Sequence, residues 1–404
     1  MVDGTSTKKV FQASTWLLGR ASQMHWSSIN RPGWTGIPNL FSNGTAPRTN
    51  SFKIMISFLS RCRNLTSFVL TGIIVSGEHQ QAIYSLPHLR KITLRSARFQ
   101  NTAVTLPKHN VTHLRLFNVL SEVGLSHILH QTSSTLTTLQ INEGPTRVFS
   151  LRTPRCPHLT TFAHSSSRCE NAEVLTFLER NPTIRIIRLD AKYCVPHLGP
   201  SLLPKLSKVT ASWELARFFL AKPELTEFYQ HPSHDIWNVV GLRSCLAQVQ
   251  RSLPHPPRLE QLRVAISHYS NGLGALPVIS HVFGSSLCQL HIWVEGHGPR
   301  YRYLLDSWAS LKGPGPYSGG QVNVKFARLR FIQVSFRSLK GNKMPEVKCT
   351  KLLKLYILPL CPVLEEALFT GISSYGSIER EEPVDGMVLR IRKNDRKWAL
   401  ALQN

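Results

Sequence analysis

The sequence predicts an α/β repeat solenoid of about twelve irregular units, with a curved parallel sheet on a concave face and helices on a convex face. Three observations lead there. A seven-residue phrase recurs, as LPHLRKI at 86–92, CPHLTTF at 156–162 and KPELTEF at 222–228. The phrase sits in a frame, L-x-x-L-x-L, that returns every 19 to 25 residues over much of the chain. Stretches with helical apolar spacing lie between the frames.

Taken in order, residues 1–50 stand apart. They mix Trp, Ser, Gly, Asn and Pro with no sustained period and read as an irregular leader with one short helix near Trp16. The repeat region spans 51–370. Its frames are LTSFVL from Leu65, LRKITL from Leu89, VTHLRL from Val111, LTTLQI from Leu136, LTTFAH from Leu159 and IRIIRL from Ile184. They continue as LSKVTA from Leu206, LTEFYQ from Leu225, LEQLRV from Leu259, LCQLHI from Leu287, LRFIQV from Leu329 and LLKLYI from Leu352. Each offers one short strand with apolar residues at frame positions 1, 4 and 6. Alone it buries almost nothing, whereas stacked on its neighbours it closes a continuous core. Pro87, Pro157, Pro182, Pro204, Pro223 and Pro257 precede frames, where proline ends a helix and is tolerated ahead of a strand.

Helices are expected at 122–131, 170–182, 213–223 and 235–253, from apolar residues three and four apart. The longer steps after Leu225 carry insertions. The Gly/Pro-rich stretch within 296–321 predicts an exposed loop flanking one helix, and 340–350 reads as a polar connector. Residues 371–404 form a cap or tail, in which MVLRIR adds a final strand.

Composition narrows the function. Of 404 residues, 48 are Lys or Arg and 23 are Asp or Glu, a formal net charge of +25. That balance favours an acidic partner, although charge spread along a whole chain also occurs without one. Eight scattered cysteines without a C-x-x-C pair read as reduced thiols of an intracellular protein, cytoplasmic or nuclear. No apolar run approaches the ~20 residues of a membrane span.

No phosphate-binding glycine loop, dinucleotide fingerprint, H-E-x-x-H or G-x-S-x-G is present, and carboxylates are scarce, so the chain reads as a non-enzyme without a cofactor. Cys156-Pro-His158 and Cys194-Val-Pro-His197 bring cysteine near histidine. Leu86, Pro87 and His88 fill the same turn without cysteine, so the spacing follows the repeat and no metal is expected.

The frames, the C/L/N-P-x-L-x-x-apolar phrase and the helix endings ERNP and AKPE resemble the leucine-rich repeat proteins of mushroom-forming fungi, many of them F-box proteins. The resemblance covers about 52–370. It implies an α/β leucine-rich repeat solenoid and a substrate-recognition component of a cullin-type ubiquitin ligase, bound through a Skp-type adaptor. The family's F-box opens with a Leu-Pro-x-Glu run, which this chain lacks, so no residue is assigned to adaptor binding.

Strand alternation turns frame positions 3, 5 and 7 away from the core. The side chains expected on that concave face, and expected to bind a protein partner, are Lys91, Arg95, His113, Arg115, Phe117, Arg188, Tyr229, Arg263, His291 and Trp293. Its only acids are Asp190 and Glu227. Two uses compete: recognition of an acidic protein segment by a monomer, and binding of RNA or another polyanion. The plain alternative is a solvated sheet face whose charge follows the chain average.

Overall fold

The structure is a computed structural model. It describes residues 64–71, 74–99, 110–119, 122–142, 155–165, 171–190, 202–220, 222–230, 239–252, 258–267, 275–295, 325–337, 350, 352–372, 388–394 and 397–402. The chain divides into two compact units, one ending at Ile186 and one beginning at Ile187.

In the first unit, β1 (Ser67–Thr71), β3 (Lys91–Arg95), β5 (His113–Phe117), β6 (Thr138–Asn142) and β7 (Thr161–Ser165) pair in that order, all parallel. Two short strands, β2 (Ile74–Val75) and β4 (Arg98–Phe99), pair separately. The helices are α1 (Gly77–Tyr84), α2 (Glu122–Thr132) and α3 (Asn171–Arg180).

The second unit opens in β8 (Ile186–Asp190) and continues through β9 (Lys208–Ala211), β10 (Glu227–Gln230), β11 (Gln261–Ser267), β12 (Gln289–Glu295), β13 (Phe331–Arg337) and β14 (Glu366–Ile372). From β9 to β14 every pairing is parallel. Then β15 (Val388–Asn394) runs antiparallel to β14, and β16 (Lys397–Leu402) antiparallel to β15. The expected tail strand is thus present with one more beyond it. Between the strands lie α4 (Trp213–Phe219), α5 (Val239–Ser252) and α6 (Ala275–Phe283). Helix α4 packs on β9, β10 and α5, and α5 packs on α6. The architecture is α/β, with parallel strands and helices described between some of them.

Frame positions 1, 4 and 6 are buried wherever a frame becomes a strand. Leu89, Ile92 and Leu94 show it on β3, and Leu287, Leu290 and Ile292 on β12. Burial of that face drives the stacking, at roughly 25 cal/mol for each Å² of apolar surface removed from water. Two polar residues share position 6. His164 lies against Phe162 with ring centroids 6.0 Å apart. Gln230 accepts the Ala265 amide through Oε1 at 2.7 Å, continuing the ladder where β10 ends before β11 does.

Position 2 carries a device of its own. The carbonyl at this position accepts the backbone N–H of positions 2 and 3 from the next frame, as Thr112 O does from Thr137 and Thr138. A threonine there adds its hydroxyl to the same acceptor: Thr112 to Arg90 O (3.2 Å), Thr137 to Thr112 O (3.0 Å), Thr160 to Thr137 O (3.2 Å) and Thr226 to Ser207 O (3.1 Å). Threonine suits the place because it satisfies the strand geometry and supplies a donor.

The residue three places ahead of the frame is also buried in most described frames: Leu86, Cys156, Asn181, Leu203, Lys222, Phe326 and Cys361, with the half-buried Ser133 an exception. Where it is polar it bridges the chain. Lys222 Nζ donates to Leu202 O at 2.7 Å. Gly284 fills this slot before β12, where a Cβ would overlap Ser280 O and touch Lys325 O at 3.0 Å.

One frame requires correction. LLKLYI is no strand: Leu353–Ile357 forms a π-helical turn. Leu352, Leu353 and Ile357 are buried and Lys354 is exposed, a helical face. Apolar residues at i, i+3 and i+5 fit a short strand and a helix alike, and here the helix wins. The strand follows at LEEALF from Leu364, directly after CPV, the same Cys-Pro-x-Leu phrase as at 156–159. The four expected helices appear as α2 to α5, within a few residues of their expected limits. Helices α1 and α6 were not expected. GEHQQAIY buries polar His79 and Gln80, and ALPVISHVF is apolar nearly all round, so neither shows a helical stripe. The leader, its short helix and the 296–321 insertion lie outside the described residues.

Candidate functional site

Strand register decides which side chains meet. On the open face of the first unit, Lys91 stands beside His113, Thr93 beside Arg115 and Arg95 beside Phe117. One strand further, Thr138, Gln140 and Asn142 continue the rows, and after them Thr161, Ala163 and Ser165. Lys91, Arg95 and Arg115 are exposed, while His113 and Phe117 are half-buried. No carboxylate occurs on this face across β1, β3, β5, β6 and β7. The Arg95 guanidinium lies 5.1 Å from the Phe117 ring centroid, a contact that holds the charge in place. Burial depresses the pKa of His113, and the adjacent Lys91 and Arg115 depress it further. Its Nδ1 lies 2.8 Å from Thr112 Oγ1, whose own proton goes to Arg90 O. The threonine oxygen therefore accepts from Nδ1–H, which leaves Nε2 as the basic nitrogen.

The corresponding face of the second unit is chemically different, because a carboxylate stands among its cations. Lys208 Nζ sits 2.9 Å from Glu227 Oε2. Tyr229 Oη lies 2.8 Å from the same carboxylate oxygen and 2.9 Å from Gln261 Oε1. A cation from each neighbouring strand lies over the Tyr229 ring, Lys208 at 4.6 Å and Arg263 at 4.4 Å. Partial burial opposes ionisation of Glu227, but hydrogen bonds from Lys208 and Tyr229 and the charges of Lys208 and Arg263 outweigh it and hold the carboxyl below its ordinary range. Arg188, on β8, is half-buried.

Towards the C-terminal strands the same face closes. His291 and Trp293 occupy the expected frame positions, but His291 is only 9% exposed and is not a surface contact. Trp293 Nε1 donates to His291 Nδ1 at 3.0 Å. An indole nitrogen only donates, so Nδ1 carries no proton and Nε2–H donates to Ser335 Oγ at 2.7 Å. Ser335 also receives Gln333 Nε2 at 3.2 Å and lies 2.7 Å from Thr370 Oγ1, which leaves its own proton for the threonine. A histidine with a protonated Nε2 cannot take a proton from the serine it faces. This pair therefore lacks the arrangement that activates a serine nucleophile. Burial holds the pKa of His291 well below the ordinary value, and Arg263 lowers it further.

The structure thus splits the ten expected site residues. Lys91, Arg95, His113, Arg115 and Phe117 form one cluster, Tyr229 and Arg263 another, His291 and the half-buried Trp293 belong to a hydrogen-bonded chain that runs inward, and Arg188 lies on β8. Gln333, Ser335 and Thr370 escaped the sequence reading. Continuing the alternation into FIQVSF finds the first two, whereas Thr370 was hidden by the misplaced last frame. Among the described residues no group of three His, Cys, Asp or Glu side chains is arranged to hold a metal, and no helix is long and apolar enough to cross a membrane. The chain matches no known protein-family model and no curated protein.

Proposed function

We propose that the protein is a non-catalytic recognition module whose open strand face binds an acidic segment of a partner protein. The observation that carries this reading is the β3–β5 face, where three exposed cations stand together with no carboxylate among them. A solvated face of average composition would mix signs, as the second unit does at Lys208 and Glu227. Fixed strands present these groups in a preset array, which lowers the entropic cost of binding. The frames and helix endings resemble the F-box leucine-rich repeat group. On that resemblance the module is an intracellular substrate receptor of a cullin-type ubiquitin ligase, its recognition face the concave side of a solenoid.

The test is capture of bound protein by the tagged chain and by a Lys91→Glu/Arg115→Glu variant, at low salt and at about 0.3 M. A protein held by the wild type at both salts and lost with the variant supports the reading. Recovery of a Skp-type adaptor with it supports the ligase role. Recovery of RNA alone, lost at the higher salt as phosphate contacts are screened, overturns it in favour of a polyanion scaffold.

A further inference from the structure

We infer that the chain associates with a second copy of itself through the outer edge of β16, the two strands pairing antiparallel about a twofold axis at Leu400. β16 belongs to the second unit, so the inference stands apart from the function proposed for the β3–β5 face. It is the last strand in its sheet order, and among the described residues no strand pairs with its far side. Such an edge is a row of unpaired N–H and C=O groups, which sheets blunt with proline, a bulge, scattered charge or a very short strand. In KWALAL only Lys397 does so. The strand pairs with β15 over six successive residues without a break. Its residues also suit a core layer better than a cap. Ile391 is 3% exposed and stands opposite Leu400. Opposed residues of paired strands share a face, so Leu400 lies on the side where Ile391 is buried, and alternation adds Trp398 and Leu402. A terminal solenoid element normally turns polar residues outward. This strand brings three large apolar residues to the end of the layer.

A second copy matches this edge residue by residue. Two such edges related by a twofold axis normal to the sheet pair antiparallel, the sense already used by β14 with β15 and by β15 with β16. Opposed residues must again share a face, which leaves two central registers. Centred on Leu400, the pairing sets Leu400 against its own copy, Trp398 against Leu402 and Ala399 against Ala401. Large apolar residues then meet on one face and small ones on the other, while Lys397 falls outside these pairs. Centred on Ala399, it sets Lys397 against Ala401 and leaves Leu402 unopposed, so the first register is favoured. Arg390, Arg392 and Lys393 lie one strand back, on β15. Three strand spacings, about 14 Å, separate them from their copies, more than the screening length of about 8 Å at 0.15 M salt. Their repulsion therefore opposes the dimer chiefly at low salt.

The test is sedimentation velocity of the nuclease-treated full chain from about 1 to 100 μM, at about 0.02, 0.15 and 0.5 M salt. The expected result is a monomer–dimer equilibrium that tightens severalfold from the lowest salt to the highest. Ala399→Glu/Ala401→Glu sets like charges against each other across the axis, although within its own chain each introduced carboxylate stands opposite Arg392 or Arg390. Ala399→Lys/Ala401→Lys does the same with the opposite sign. Each double variant alone should dimerise at least about tenfold more weakly than the wild type. An equimolar mixture of the two should regain association as a heterodimer, a recovery that misfolded variants could not give. Wild type that stays monomeric at the highest concentration overturns the proposal. So do a dimer that both variants retain, a dimer that weakens as salt rises, and a mixture of folded variants that stays monomeric.

Discussion

Trp293 donates its indole N–H to His291 Nδ1 at 3.0 Å, and that one contact fixes the tautomer of a buried histidine and the direction of every hydrogen bond beyond it. Protonating His291 would set two donors head to head at Nδ1. The folded pKa lies below the ordinary value of about 6.5, so between the two values the unfolded chain binds more protons. The contribution of His291 to stability is therefore complete above about pH 6.5 and declines as the pH falls towards its folded value. His291→Gln, which keeps an acceptor and a donor but does not titrate, should unfold with a shallower acid limb than the wild type. Urea unfolding midpoints from pH 7.5 to 5 provide the measurement, and parallel acid limbs in the two proteins would contradict the assignment.

Asn181 ties the end of α3 to the preceding frame. Its Oδ1 accepts the Cys156 amide at 2.8 Å and its Nδ2 donates to Phe177 O at 2.8 Å, with the side chain 1% exposed. Asn181→Leu matches its size but leaves a buried amide and a buried carbonyl without those bonds. The expected loss is about 2–4 kcal/mol, from roughly 1–3 for each stranded group with part recovered by apolar packing. Denaturant unfolding of the variant measures it, and a change under about 0.5 kcal/mol would show that the bridge contributes little.

The threonine ladder predicts a graded response. Thr137→Val preserves shape and strand preference but removes the hydroxyl bonded to Thr112 O, at an expected cost near 0.5–1 kcal/mol. The acceptor keeps two backbone donors, so the loss stays small at each site. Thr112→Val, Thr137→Val and Thr160→Val combined should cost about the sum of the single losses or more, since adjacent rungs share a residue, Thr112 and Thr137 each donating in one rung and accepting in the next. Thermal unfolding of the four proteins decides between this and independent, negligible rungs.

Gly284 is expected to admit no side chain. In Gly284→Ala the new methyl would overlap Ser280 O and press on Lys325 O, both backbone atoms that cannot swing aside. The loss should be about 1–3 kcal/mol or greater, beyond what helix preference for alanine returns. A melting temperature equal to that of the wild type would disprove the close approach.

Cys156 and Cys361 should be inert thiols. Both are fully buried, and burial pushes them up to about 11 and about 12 respectively. The thiolate is the reactive species, so neither should be alkylated at pH 8 in the folded chain and both should react in denaturant. Mass spectrometry of iodoacetamide-treated protein checks this, and modification of either in the folded chain would place it outside the core.

Much of the fold is legible before any coordinates. The apolar positions of CPHLTTF recur at a fixed offset because each strand must bury the same face, so strand after strand begins where its frame says it should. One pattern can serve two structures. LLKLYI satisfies both a strand and a helix, and only packing of Leu352, Leu353 and Ile357 against the core chooses the helix. Helix α6 was invisible for the opposite reason, since an almost wholly apolar segment has no polar side to contrast with.

The sequence by itself determined the period, the inward residues and the identity of the side chains on the opposite face, because alternation along a strand is a local property. Tertiary structure decided what those side chains do. Register between separate strands set Glu227 against Lys208 and gave Lys91 and Arg115 no carboxylate on the adjoining strands, among the described residues. It also set His291 diagonal to Ser335 on the neighbouring strand and buried the pair. Residues 19 or 44 positions apart in the chain become partners only when the strands that carry them pack side by side.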